Sequence, residues 1–344
     1  MAKQKKLSHQ QKRRIAQNSQ RKLNNAELTE VEDSNLGLQQ TGLVVRRYGQ
    51  HADLEAANGE IIRCDIRRTV ESVVCGDNVI WRESKIASEQ RKGVIEAVQP
   101  RKSALTRPDF YDGVKTIAAN IDQIFVVSSV LPEFSNHIID RYLIAAENIG
   151  ISPVLILNKV DLATEKQLEQ IQQDFNYYQS IGYQTLELSC KTGVGIAQLQ
   201  QLLNQKVSIF VGQSGVGKSS LINQLLPQAQ EQVGDISNTS GLGQHTTTAS
   251  KMLSLECGGR LIDSPGVREF GLWHMEPEQI INGFIEFPPL TSQCKFRDCK
   301  HAADPQCAIR SATQEKKIAQ FRFDNYHKII ASMAENRSNR TFIR

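Results

Sequence analysis

Residues 212–219 read GQSGVGKS, and the run lies between an apolar stretch, VSIFV, and a helix-like one, SLINQLL. A glycine-rich turn of G-x-x-x-x-G-K-[ST] spacing, entered from a strand and left through a helix, confines the surrounding chain to a nucleotide-binding α/β sheet. Gly212, Gly215 and Gly217 let the backbone curl so that successive N–H groups face one anion, while the following helix presents its positive end. Gln213, Ser214, Val216 and Ser220 complete the loop. Lys218 is placed to put a point charge on the β and γ phosphates, and the Ser219 hydroxyl to ligate Mg²⁺. The alternative is a glycine turn with an incidental lysine, and the strand-to-helix context speaks against it.

The neighbouring sequence alternates apolar strands with amphipathic helices: IDQIFVVSSV, a helix around IDRYLIAAENIG, SPVLILNKVDL, a helix from about Thr164 to Ile181, TLELS, another helix, and VSIFVG. That pattern specifies a parallel sheet with helices on both faces. Asn158-Lys159-Val160-Asp161 follows PVLIL and so projects from the carboxyl edge, where open α/β folds bind ligands. The Asp161 carboxylate can accept both the ring N–H and the exocyclic amine of guanine, a donor pair adenine lacks. Asn158 fixes the loop, the Lys159 stem packs on the base, and Ser189-Cys190-Lys191 offers backbone N–H groups to the guanine carbonyl.

Asp263-Ser264-Pro265-Gly266 supplies a carboxylate suited to Mg²⁺ and a glycine N–H suited to sensing the γ-phosphate. Between it and the phosphate loop lies GQHTTT, residues 243–248, where a threonine must reach Mg²⁺; Thr247 is the choice among Thr246, Thr247 and Thr248. Every part of a GTPase is present, with the guanine-binding loop ahead of the phosphate loop, whereas most GTPases begin with the phosphate loop. Cutting the sheet after the second switch and joining its former ends gives this circularly permuted order. The second switch then runs straight into the C-terminal residues, so γ-phosphate loss at Gly266 can move them with few intervening elements.

Charge divides the chain. The first 26 residues carry eight Lys/Arg and no Asp/Glu, leaving 33 basic against 37 acidic side chains in the remainder. This arm lacks the apolar core of a signal peptide, and no later run reaches the ~18 apolar residues of a membrane span. A cytoplasmic monomer is expected, and seven cysteines then argue for metal or buried thiols over disulfides. Residues 1–36 read as a mobile basic arm, or a solubilising tail. Five short β runs from Thr41 to about Lys102 read as a small closed barrel, most simply an OB-fold, over 37–103. Arg46, Arg47, Tyr48, Arg67, Arg68 and Trp81 suit nucleic acid, though exposed arginines and a core tryptophan would read the same. The GTPase domain follows over 104–275, then a separate small domain over 276–344 with a helix from about Thr313 to Ala334.

Within that last domain Cys294, Cys299, His301 and Cys307 form C-x4-C-x-H-x5-C. Three thiolates and an imidazole suit one tetrahedral structural Zn²⁺, with no open position for chemistry. Buried cysteines beside an incidental histidine are the bland alternative. Lys295, Phe296, Arg297 and Lys300 stand between the ligands, able to grip phosphates or simply to solvate the loops.

The permuted order, GLGQHTTT, DSPGVREFGLW at 263–273, the preceding barrel and the cysteine–histidine cluster together resemble the small-ribosomal-subunit biogenesis GTPase family, RsgA, also called YjeQ, over essentially the whole chain. The resemblance implies a multidomain α/β protein: an OB-fold, a permuted P-loop GTPase domain and a zinc domain. It implies GTP as substrate, the small (30S) ribosomal subunit and its rRNA as partner, a role in late maturation, and hydrolysis to GDP stimulated by the subunit. An RNA-binding module that uses nucleotide only for stability, or a signalling GTPase, are the competing classes. Val267 stands where many GTPases carry the glutamine that orients water. His245 is the candidate to do so beside Lys218 and Thr247, with loop packing as its alternative role.

Overall fold

The computed structural model describes residues 36–70, 72–88, 91–109, 113–226, 250–264 and 275–341. The basic arm, the threonine run with His245 and Thr247, and Gly266 with Val267 lie outside the described residues. Period-2 alternation in the first 60 described residues produces strands β1 (Leu36–Tyr48), β2 (His51–Ala56), β3 (Ile61–Ile66), β4 (Asn78–Ser88) and β5 (Arg91–Val98). They pair in the order β1-β2-β3-β5-β4, and β4 returns to β1, so the sheet closes into a five-stranded barrel. Val44, Ala52, Leu54, Ile62, Cys64, Val79, Trp81 and Ile95 fill it. Trp81 is 1% exposed and its indole N–H donates to the Thr41 carbonyl at 3.3 Å, so of the two readings open to it the core one holds.

A hairpin not anticipated from sequence, β6 (Ala104–Asp109) and β7 (Gly113–Ala119), separates the barrel from the α/β sheet. The sheet then assembles from β8 (Gln123–Ser129), α1 (Asn136–Ile149), β9 (Ser152–Asn158), α2 (Glu165–Ser180), β10 (Gln184–Glu187), α3 (Ile196–Leu203), β11 (Val207–Val211), α4 (Lys218–Leu225), β12 (Lys251–Ser254) and β13 (Arg260–Asp263). Its order is β10-β9-β8-β11-β13-β12, parallel except for β12. Successive residues of the buried strands serve opposite faces. Ile124, Val126, Leu155, Leu157, Ile209 and Val211 pack toward α1, while Phe125, Val127, Val154, Ile156 and Phe210 pack toward α3 and α4. Each such side chain contributes about 1.5–3 kcal/mol relative to exposure. Helix α2 starts where its sequence demands: Thr164 caps it in a reciprocal capping box with Gln167.

Beyond the sheet come α5 (Pro277–Asn282), α6 (Pro288–Thr291), α7 (Ala308–Gln314) and α8 (Gln320–Thr341). The single helix expected from Thr313 to Ala334 is therefore two. The break lies at Lys316, which takes φ +61° while the Lys317 N–H reaches back to the Ala312 carbonyl at 2.9 Å and the Lys316 N–H to Thr313 at 3.0 Å. This is a Schellman ending with lysine where glycine is usual, so no glycine announces it. Phe284, Phe287, Ile309, Tyr326 and Ile329 join the α1 face of the sheet in one continuous core. At the other end β1 pairs antiparallel with β12, Arg46 opposite Lys251. Among the described residues no helix is long and apolar enough to cross a membrane.

Candidate functional site

The carboxyl ends of β9, β10, β11 and β13 converge on one edge, and the sequence-predicted residues that are described gather there. Gly212, Gly215 and Gly217 all take positive φ, at +142°, +82° and +98°. At Gly212 any Cβ would meet the Val127 carbonyl oxygen at 2.1 Å, so the loop can pass over β8 only as glycine. Gln213 is half-buried, Ser214, Gly215, Ser219 and Ser220 are exposed, and Val216 is buried beneath the turn. Lys218 folds back to donate from Nζ to the Gly212 carbonyl at 2.7 Å and the Gln213 carbonyl at 2.5 Å.

Two hydrogen bonds tie this loop to a motif more than fifty residues earlier. Asn158 Nδ2 donates to the Val216 carbonyl at 2.8 Å, and Lys159 Nζ to the Gly215 carbonyl at 2.6 Å and the Leu131 carbonyl at 2.7 Å. Lys159 is itself in the left-handed region, φ +61°, which turns its stem back over the loop. The Val160 N–H bonds the Leu188 carbonyl at 3.2 Å, bringing Asp161 beside the loop that follows β10. There the buried Ser189 hydroxyl donates to Asp161 Oδ1 at 2.6 Å, fixing an otherwise exposed carboxylate. Burial first, and the Asp161 charge second, push the neighbouring Cys190 thiol above its usual range, so it stays protonated there. Asp263 ends β13, two strands from β8 and next to β11, and Ser264 beyond it accepts from or donates to the Ser250 hydroxyl at 2.7 Å. The result is a cradle of loop N–H groups and one lysine ammonium after β11 and a fixed carboxylate after β9, with β8 between the two strands, which fits a phosphorylated base.

The second cluster lies in the C-terminal unit. The donor atoms of Cys294, Cys299, His301 and Cys307 all lie within 4.8 Å of one another, and His301 Nδ1 is 3.7 Å from Cys294 Sγ and 3.5 Å from Cys307 Sγ. A tetrahedral ion with bonds of about 2.3 Å to sulfur and 2.0 Å to nitrogen separates such atoms by roughly 3.6 Å. These residues could hold a metal. Burial, with Cys307 and Cys294 adjacent, pushes the Cys299 thiol up to about 12, so without a cation it stays protonated. Burial also holds His301 below its ordinary range, leaving the imidazole neutral and able to ligate. Cys307 Sγ further accepts from the Arg310 N–H at 3.4 Å, so the same sulfur caps α7.

Sequence reasoning missed a third cluster. Arg322 of α8, wholly buried, donates to Asp140 of α1 at 2.7 Å and to both oxygens of Glu286 at 2.7 and 2.8 Å, and it lies 4.4 Å over the Phe284 ring. Tyr178 and Asn325 donate to the same Asp140 carboxylate at 2.5 and 2.6 Å. On the barrel, Arg46 and Arg63 flank the Tyr48 ring at 5.8 and 5.1 Å, and Arg67 is paired to Glu96 at 2.8 Å.

The sequence profile of the RsgA GTPases matches residues 98–273. The small ribosomal subunit biogenesis GTPase RsgA 1 of Vibrio vulnificus (strain YJ016) is 54% identical over 346 residues, spanning 100% of this chain and 98% of its own length. The small ribosomal subunit biogenesis GTPase RsgA of Haemophilus influenzae (strain ATCC 51907) is 53% identical over 339 residues, spanning 98% of each. YjeQ from Thermotoga maritima superposes with a TM-score of 0.70 at 33% identity, over 86% of this chain and 99% of that one. YloQ, described as a circularly permuted GTPase, shares the fold with a TM-score of 0.67 at 24% identity, over 90% of this chain and 98% of its own.

Proposed function

Because the chain belongs to the RsgA GTPase family, we propose that it binds and hydrolyses GTP on the small ribosomal subunit, as a step in that subunit's late maturation. The observation that carries the nucleotide assignment is the pair of bonds from Asn158 and Lys159 to the phosphate loop, which make one site of two distant motifs. In this reading Asp161, steadied by Ser189, accepts the guanine donor pair, and Lys159 covers the base. The loop from Gly212 to Ser220 wraps the phosphates, with Lys218 leaving its carbonyl partners for the β and γ oxygens. Mg²⁺, which would neutralise phosphate charge, has Ser219, Asp263 and Thr247 as its ligands. Gly266 senses the γ-phosphate, and His245 positions the attacking water in place of the glutamine that Val267 replaces. Intrinsic turnover is slow in consequence, and the subunit accelerates it.

The C-terminal cluster holds one structural Zn²⁺, whose chemistry is to cross-link loops. Lys295, Phe296 and Arg297 on those loops, the Tyr48 group of the barrel and the basic arm at 1–26 form the RNA-facing surfaces. The functional units are 1–36, 37–103, 104–275 and 276–344.

The test is GTP turnover measured with and without purified small or large subunits, beside titrations of GTP and ATP. Selective GTP binding and stimulation by the small subunit alone are expected; equal binding of ATP and GTP would remove the base assignment. Asp161→Asn is expected to weaken GTP binding by roughly 1–3 kcal/mol, from an unmatched buried donor. His245→Ala should keep GTP binding and subunit association but lose stimulated turnover, and an unaffected single-turnover rate would pass the water to RNA or another residue.

A further inference from the structure

Helix α1 touches two different parts of the molecule with two different rows of side chains. Residues four apart share a face of a helix. On one row Asn136 meets Asn325, Asp140 holds Arg322 and Asn325, and Asn148 donates to the Gln279 carbonyl at 2.8 Å. Between them Ile144 lies so close to Gly283 that any Cβ there would come within 2.7 Å. The C-terminal unit buries the middle of that row, Asp140 and Ile144, and leaves Asn148 at its end exposed. Tyr142 stands two residues after Asp140, about 200° away around the helix. With Ile138 and Ile139 it lines a small cavity shared with Ser128, Ser129, Gln213 and Val216, directly behind the phosphate loop. Its hydroxyl oxygen accepts the Gly212 N–H, and the ring is buried.

Gly212 is thus held from two sides, by the Val127 carbonyl that excludes any side chain and by a phenol delivered from α1. We propose that Tyr142 is a positioning residue for the phosphate loop, mounted on a helix whose opposite face the C-terminal unit fixes, so that the seating of α8 sets where Gly212 lies. Tyr142 touches neither base nor phosphate in this arrangement. It holds the first glycine of the loop in the conformation that aims the following N–H groups inward, and losing that bond frees the loop to spend time in others. The binding of phosphates beyond the first then weakens, while recognition of the base does not.

This inference rests on the nucleotide assignment above, and the test separates the two. Affinities of the full-length protein for GDP and for GMP are measured by competition with a fluorescent GDP analogue, for wild type and Tyr142→Phe, a variant that keeps the ring and the packing. The expected result is about a tenfold loss for GDP, the size of one unpaired buried N–H, with GMP affinity unchanged. Equal losses for both nucleotides, or none, overturn the positioning role. A wild type that fails to bind GDP at all overturns the nucleotide assignment instead. Arg322→Lys, which disturbs the other face of α1, is expected to reproduce the selective GDP loss and to add little in the Tyr142→Phe background. Additive losses would show that the two faces act independently, and Asn148→Ala at the exposed end of the row serves if the lysine variant does not fold.

Discussion

Both flanking units are fastened to the central sheet through an arginine and a carboxylate, in opposite surroundings. At the barrel, Arg260 of β13 grips Glu55 of β2 through two bonds of 2.6 and 2.8 Å, with the two side chains 29% and 24% exposed. At the C-terminal unit, Arg322 grips Asp140 and Glu286, and neither Arg322 nor Asp140 is exposed at all. Water competes for the first pair and screens it, so it specifies register more than it stabilises. For the second, water has been replaced by Tyr178, Asn325 and the Phe284 ring, and each member is needed because the others have lost their solvent. The barrel also brings its own complete core, centred on Trp81, whereas Phe284, Phe287 and Tyr326 complete a core that belongs equally to α1. One unit is attached; the other is built in.

The largest effect that could break this contrast is removal of the metal proposed for Cys294, Cys299, His301 and Cys307. The binding free energy of a structural ion is folding free energy, on the order of 10 kcal/mol. Chelation is expected to strip hydrogen-exchange protection from 294–314, with α7 fraying first as Cys307 loses its place, while β1 to β5 keep theirs. Matching losses in the barrel would erase the distinction. Next in size, Arg322→Ala should cost about 3–5 kcal/mol in denaturant unfolding, because two carboxylates are left buried without their cation. Replacing Arg322, Asp140 and Glu286 together by apolar residues should recover much of it.

Smallest is Arg260→Ala, expected at no more than about 1 kcal/mol and less in high salt. Its pH dependence follows from Glu55, whose carboxyl is held below the usual range by the hydrogen bond from Arg260 against the cost of burial. A depressed folded pKa gives stability that is present above the ordinary carboxylate range and lost as pH falls through the lowered value. The difference between wild type and variant should therefore vanish in acid and be constant near neutrality. An Arg260→Ala cost rivalling that of Arg322→Ala would mean that the two joints are equivalent.

Local rules that act within a few residues were legible. The five barrel strands, the helix start at about Thr164 and the strand-to-helix turn at Gly212 follow from spacing alone, and the motif strings identified Asn158, Lys159 and Asp161 as a group. Features that depend on which surfaces meet were not. Arg322 sits in a helix with low amphipathic contrast, where a lone arginine reads as a solvated charge, and its partners lie 36 and 182 residues away. The same holds for Tyr142, which has an unremarkable apolar neighbourhood in sequence and a specific acceptor role only once α1 lies across the loop. The break at Lys316 was missed because lysine occupies a position where glycine normally gives the signal.

The closed pairing of β1 to β5 has a consequence for the order in which a ribosome delivers the parts. All five barrel strands lie between residues 36 and 98, and Arg101, the partner of buried Asp77, follows three residues later, so the barrel can close while most of the rest is still being synthesised. Asp140 must wait 182 residues for Arg322, and Glu55 waits 205 for Arg260. At about 5–20 residues per second these delays are roughly 10–40 s. Through that interval the outer row of α1, Asp140 among it, has no C-terminal unit to cover it, whereas the barrel core is already closed around Trp81.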